Sequence, residues 1–203
     1  MSTVVQSFDL ECKVIRGSWS IGEIEYCEAQ NLYITSENAE ITSVNGSTEP
    51  TSLPGLFIDH QTAHYLPKGI GRFFPNLNGL AVWSSKLKSL TQDDLKPLKQ
   101  LLSVTFNDND VTDLEDGLFE YNSKLQIVSF NDNKLKLVGE NVLSILKNLN
   151  QLHFQNNVCI NDDAWSSAVP ALVEKIKSQC RKSQNKISVN SKMHVLMKAH
   201  RGS

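Results

Sequence analysis

The chain has 203 residues, 40% of them hydrophobic, with unremarkable Gly and Pro counts, which is ample material for one core. No apolar run approaches the ~20 residues of a membrane span. The net charge of −2 hides an asymmetry: residues 181–203 hold Arg181, Lys182, Lys186, Lys192, Lys198 and Arg201 and no acid, and this +6 leaves −8 on residues 1–180. An acidic body with a basic tail disfavours nucleic acid as a partner.

Residues 1–9 lack the basic start, apolar stretch and small-residue cleavage site of a secretory signal. Phe8 to Ile15 and Ile24 to Cys27 alternate like strands, with Gly17-Ser18 and Gly22 between them, a hairpin pattern. Ile41 to Val44 followed by Asn45-Gly46 reads as strand then turn. Asn45-Gly46-Ser47 is also a glycosylation sequon, so Asn45 is a candidate modification site, although turns favour Asn-Gly in any case.

From residue 53 the sequence repeats every 24 residues without slippage. Rows begin at Leu53, Leu77, Leu101, Leu125 and Leu149. Three positions in stand Leu56, Leu80, Val104, Val128 and Leu152, and two further on Ile58, Val82, Phe106, Phe130 and Phe154. Gln61, Ser85, Asn109, Asn133 and Asn157 follow, then Ala63, Leu87, Val111, Leu135 and Cys159, then Leu66, Leu90, Leu114 and Val138. This is the pattern L-x-x-L-x-L-x-x-N-x-L of the leucine-rich repeat. It predicts an α/β solenoid: a curved parallel β-sheet on the concave side, loops and short helices on the convex side.

Each repeat contributes a short strand and cannot bury its apolar face alone, so neighbours must stack on it. The Asn column should form an amide ladder to its own and the next turn, looser at Gln61 and Ser85. Phe106, Phe130 and Phe154 should stack as a spine. Leu32-Tyr33-Ile34 fits a degenerate row starting at 29. Thr91-Gln92-Asp93-Asp94 resembles a capped helix start with Leu95 and Leu98 behind it; Leu143 and Leu146 repeat that spacing. Leu66 to Gly69 should be extended or 3₁₀.

After Asn157 the rhythm stops. Ala164, Trp165, Ala168, Val169, Leu172, Val173, Ile176 and Cys180 take helical spacing, and Pro170 suits a first turn. A helix over about 169–179, entered by a shorter turn, should cover the last repeat, with Trp165 plugging the end. Cys12 and Cys27 precede the array, and Cys159 and Cys180 close it. Exposed ends of a stacked array need caps, and cysteines confined to both ends predict the disulfides Cys12–Cys27 and Cys159–Cys180. The alternative is four free thiols in a cytosolic adaptor. The domains are then an N-terminal cap (1–52), five repeats (53–157), a helical C-terminal cap (158–180) and a basic tail (181–203). The pairing points to an oxidising compartment, hence to a secreted chain from which a signal peptide has been removed.

The runs His64-Tyr65-Leu66-Pro67-Lys68-Gly69-Ile70-Gly71-Arg72-Phe73-Phe74-Pro75-Asn76-Leu77, Ser89 to Leu95 and Asn156 to Asn161 resemble secreted leucine-rich-repeat proteins of insects, over about residues 10–180. The resemblance implies an extracellular protein with relatives in innate immunity and cell-surface recognition. It does not specify a partner.

No catalytic constellation stands out. His60, His64 and His153 have no ligand at metal spacing, and Asn107-Asp108-Asn109-Asp110 lacks the Gly and distal Glu of a calcium loop. No phosphate loop, nucleophile elbow or dinucleotide signature occurs. The expectation is a non-enzymatic module with no cofactor and no metal.

Strand alternation places the recognition surface on the concave face. Its ligand-binding candidates are Phe57, Asp59, His60, Trp83, Thr105, Asn107, Asp108, Asn131, Asp132, His153 and Gln155. Phe57 and Trp83 would be exposed aromatics at one end of a polar, acidic face, suiting a protein or peptide ligand. The alternative is a structural protein that forms a homodimer through the sheet face or a cap. The basic tail could dock on an anionic glycan or membrane surface, or simply be a solvated terminus.

Overall fold

The computed structural model describes residues 6–181, so the basic segment 182–203, with the anionic-surface reading attached to it, lies outside the described residues. In chain order the strands are β1 (Ser7–Trp19), β2 (Gly22–Gln30), β3 (Tyr33–Ile34), β4 (Glu40–Asn45), β5 (Gly55–Asp59) and β6 (Thr62–Ala63). Helix α1 (Ile70–Phe73), β7 (Gly79–Trp83), α2 (Gln92–Leu95), β8 (Ser103–Thr105), β9 (Asp113–Leu114), β10 (Ile127–Ser129) and β11 (Leu137–Val138) follow. The chain closes with β12 (Gln151–His153), β13 (Asp163–Trp165) and α3 (Val169–Gln179).

The principal sheet has nine strands in the order β13-β12-β10-β8-β7-β5-β2-β1-β4. Its central strands run parallel, in a register that is the sequence period itself: Leu56 opposite Leu80, Leu80 opposite Val104, Val104 opposite Val128, Val128 opposite Leu152. Those residues, with Ile58, Val82, Phe106, Phe130 and Phe154, are fully buried. Two-residue alternation sends one side of each strand into the core and the other outward, so a slip of one residue would exchange the two faces. The three phenylalanines stack at centroid distances of 5.2 and 5.6 Å.

The amide column closes each turn, reaching back to the preceding unit and not forward to the next. Asn109 Oδ1 accepts from the backbone N–H of Ser85 and Leu87, while its Nδ2 donates to the carbonyls of Val82 and Asn107. Asn133 and Asn157 repeat this, accepting from Val111 and Leu135. Ser85 accepts one bond, from Gln61 N–H, and gives its single proton to the Trp83 carbonyl. Gln61 accepts from Leu32 N–H. The ladder is therefore unbroken but thinner at its N-terminal end.

A second periodic feature had no clear signal in the apolar pattern. Asn31, His60, Ser84, Asp108, Asp132 and Asn156 all sit at positive φ, between 46° and 55°. The chain leaves each strand through one left-handed residue, a conformation that Asn and Asp tolerate better than most.

The ends depart from expectation in three places. The hairpin is longer than its alternation suggested: Gly17-Ser18 lies within β1, and the turn is Ser20-Ile21, with Trp19 paired to Gly22. The degenerate first row is out of phase, because β2 pairs Cys27 with Leu56 and β3 pairs Ile34 with Ala63, an offset of 29 residues, not 24. Leu32 thus sits in the amide column and Cys27 and Ala29 take the strand positions. At the other end, Ala164 and Trp165, where a short turn into the helix was expected, form an antiparallel strand on β12; Ala164 is buried and Trp165 is 53% exposed, so Trp165 is no plug.

The remaining elements follow the sequence. Thr91 caps α2 with Asp94 in a reciprocal capping box. Leu143 lies in a turn that the Leu146 N–H closes by donating to the Leu143 carbonyl, and Lys68 forms a lone bridge with Glu40 before α1. Helix α3 spans 169–179 with Pro170 in its first turn and buries Val169, Leu172 and Ile176. Cys12–Cys27 and Cys159–Cys180 are both disulfide-bonded, with Cα separations of 5.2 and 5.1 Å. Asn45 is exposed at the end of the edge strand β4.

Candidate ligand-binding face

The outward side of the central strands carries three columns. The first, Gly55, Gly79, Ser103, Ile127 and Gln151, was absent from the expected surface, and it decides what lies on top. The β1–β2 hairpin folds over it. A Cβ built on Gly79 would lie 2.4 Å from the Trp19 ring, and one on Gly55 2.6 Å from Tyr26 Cβ. Ser20 at the hairpin tip reaches Ser103, hydroxyl to hydroxyl at 3.1 Å. The glycines are the seat on which the hairpin rests.

This changes the environment of Phe57 and Trp83. Phe57 is half-buried beneath the hairpin, edge-on to Trp19 at 6.3 Å and to Tyr26 at 6.1 Å. Trp83 meets Phe57 at 5.2 Å and remains 41% exposed. Phe57, Ala81 and Thr105 form the floor of a pocket of about 380 Å³; Ser18, Trp19, Ser20 and Tyr26 form one wall, and Trp83 the opposite rim. Burial, aided by the Glu28 charge, pushes the Tyr26 phenol above its usual value, so it stays a neutral hydroxyl.

The polar candidates divide by what they already hold. Asn107 Oδ1 accepts from Ser129 Oγ and Asn131 N–H, and Asn131 Oδ1 accepts from Gln155 N–H. Both acceptor positions of the Asn107 oxygen are filled within the sheet, whereas the Asn131 oxygen keeps one, so a ligand would meet the two NH₂ groups and that one oxygen. Asp108 and Asp132 occupy left-handed turn positions and accept from Ser84 Oγ and Asn156 Nδ2, both at 2.8 Å. Much of the expected acidic stripe is therefore explained by backbone geometry. Asp59 Oδ1 lies 2.8 Å from His60 Nδ1, off the hydrogen-bond direction, and has no hydrogen-bond partner. Thr105 is half-buried in the pocket floor and Gln155 is exposed.

His153 is not a free surface group. Its side chain is only 16% exposed, with Asp163 Oδ2 3.5 Å from Nδ1 and the Trp165 ring edge-on at 5.0 Å. The unforeseen strand β13 covers it and substitutes Trp165 as the exposed aromatic at that end. The sequence signal for the pocket, a column of Gly55, Gly79 and Ser103 where strands favour larger residues, lay in a column left unread. Among the described residues no group of three or more His, Cys, Asp or Glu could hold a metal ion, and no helix is long and apolar enough to cross a membrane.

No family model matches the chain, and no curated protein matches it. A solved structure of the Toll–Spatzle complex, a molecular hub in Drosophila development and innate immunity, is similar over 66% of this chain at 18% identity and a TM-score of 0.48. The chain spans 23% of the length of that chain.

Proposed function

We propose that this is an extracellular leucine-rich-repeat solenoid, five repeats over 53–157 between stapled caps, and a non-enzymatic module that binds a protein or peptide on the outer face of its sheet. The observation that carries the reading is a pair of exposed tryptophans at opposite ends of that face. Paired residues in a sheet share a side, so the register of β7 through β13 puts Trp83 and Trp165 on the same side. They stand about 19 Å apart across the strands and about 13 Å along them. An extended segment of about seven residues spans that diagonal. Between them lie Thr105, Asn107, Asn131 and the turn acids Asp108 and Asp132. Buried tryptophan anchors flanked by hydrogen-bonding groups are the usual composition of peptide hot spots. The two disulfides support an extracellular site of action. Innate immunity or cell-surface recognition is the setting that the sequence resemblance implies.

The test is selection of a random peptide display library on the full chain. Selected peptides should lose about 30-fold in affinity, about 2 kcal/mol, on Trp83→Ala, with the circular dichroism unchanged. No selectable peptide, or peptides indifferent to both Trp83→Ala and Trp165→Ala, would sink the reading. The same tryptophans could be covered by a second copy of the chain. Light scattering separates the two: a concentration-dependent dimer that Trp83→Ala dissociates favours the homodimer.

A further inference from the structure

Beneath the hairpin, the pocket has a chemistry of its own. We infer that it binds a small, neutral, flat and largely apolar molecule that carries one hydroxyl or carbonyl group. This holds whether or not a protein docks across the face.

Size comes first. About 380 Å³ falls within the range of pockets that hold small ligands. The walls come second. Trp19, Tyr26, Phe57 and Trp83 meet one another at interplanar angles between 59° and 84°, so ring faces and ring edges approach the enclosed space from several directions. A flat ring entering there finds stacked and edge-on partners together, the arrangements aromatic groups prefer. The polar groups come third, and they set the charge. They are the hydroxyls of Ser18, Ser20, Tyr26 and Thr105 and the indole N–H groups of Trp19 and Trp83, with no ionised side chain in the lining. An ion placed there would lose water without gaining a counter-charge, whereas a neutral hydroxyl or carbonyl is satisfied by groups that both donate and accept. Ser20 already shares a hydrogen bond with Ser103, so Thr105 in the floor, with Ser18, Tyr26 and the indole N–H groups around it, is left to hold the ligand.

The pocket is also held open by small residues. Gly79 seats Trp19, and the short side chain of Ala81 keeps the floor low between Phe57 and Trp83. A larger side chain at 81 would fill the space directly.

The experiment titrates the full chain with 2-naphthylmethanol, 2-naphthoate and 2-naphthylmethylammonium, followed by protein resonance shifts at fixed ionic strength. The alcohol should bind at least tenfold tighter than either ion, with shifts centred on Trp19, Phe57 and Ala81. Ala81→Leu should weaken alcohol binding at least tenfold. Thr105→Val keeps the shape and removes one hydroxyl; it should weaken the alcohol severalfold and leave 2-methylnaphthalene unchanged. Equal binding of all three probes, shifts that map elsewhere, or a folded Ala81→Leu that binds like the parent would each overturn the inference. Should Ala81→Leu fail to fold, Thr105→Val decides: equal effects on alcohol and hydrocarbon overturn it.

Discussion

Adding a single methyl group at Gly79 tests the seating of the hairpin most directly. The backbone there does not lie in the left-handed region, so alanine is conformationally permitted. On an open strand Gly→Ala would stabilise by about 0.4–1 kcal/mol, because it narrows the unfolded ensemble. Here the new Cβ would sit 2.4 and 2.5 Å from two atoms of the Trp19 ring, so the ring must move by about 1 Å or more to reach ordinary contact at about 3.5–4.0 Å. Trp19 cannot move alone: it packs on Tyr26 at 5.4 Å and on Phe57 at 6.3 Å, and its neighbour Ser20 is bonded to Ser103. Overpacking of this kind costs about 1–3 kcal/mol. Gly79→Ala should therefore destabilise the parent, yet stabilise a Trp19→Ala background by about 0.5 kcal/mol. Urea unfolding of the four proteins of that cycle gives both values, and the sign change is the readout. A Gly79→Ala effect equal in the two backgrounds would show that the hairpin does not rest on this strand.

The other predictions concern the ladder and the caps. Asn133→Ala strips one buried side chain of bonds to Val111 N–H and to the carbonyls of Phe106, Phe130 and Asn131, and should cost about 3 kcal/mol in urea unfolding; a loss under 1 kcal/mol would refute the ladder's structural role. Each disulfide closes a loop, of 15 and 21 residues, worth about 3 kcal/mol in the chain-entropy model, so reductant should lower the melting temperature and an unchanged one contradicts this. Asp162 is held below the ordinary aspartate value of 3.8 chiefly by its bond from Lys175, and Asp9 by the hydroxyls of Ser43 and Thr42. With the folded values lower than the unfolded ones, this stabilisation is complete above about pH 3.8 and vanishes as pH falls through the depressed values, so both caps should loosen in acid. Hydrogen exchange over 163–179 reads it, and Asp162→Asn should remove part of the acid dependence at that end.

The middle of the molecule was legible because each unit meets the same surroundings, so identical constraints print the same residues every 24 positions. The Phe106–Phe130–Phe154 spine and the Asn109–Asn133–Asn157 rungs are such prints. The first row could not be phased that way: the five extra residues that carry Cys27 to Leu56 sit in a segment whose neighbours on one side are a hairpin and not another unit. The Trp19–Gly79 contact is made once, between residues 60 positions apart, and nothing periodic records it. Strand β13 is three residues long and follows a spacing that also suits a helix; pairing with β12, which only the fold supplies, decides between them. For the same reason Trp165 and His153 exchanged roles, one expected inside and found exposed, the other the reverse.

The reach of the hairpin also sets where this chain could change length. From β5 to β8 the units are spanned by a common element, since Ser20 touches the third of them while β2 pairs with the first. At the far end, Cys180 accepts from Val138 N–H, tying α3 to the fourth unit. Between β8 and β10 the sheet register and the Asn133 and Asn157 rungs join only adjacent units. A duplicated 24-residue segment inserted there would lengthen the array and leave both ends as they are. The same segment inserted before Ser103 would carry that residue one strand spacing, about 4.8 Å, out of the hairpin's reach. The molecule is thus a ruler with one sliding joint, and descent with gain or loss of units should leave its mark at that joint.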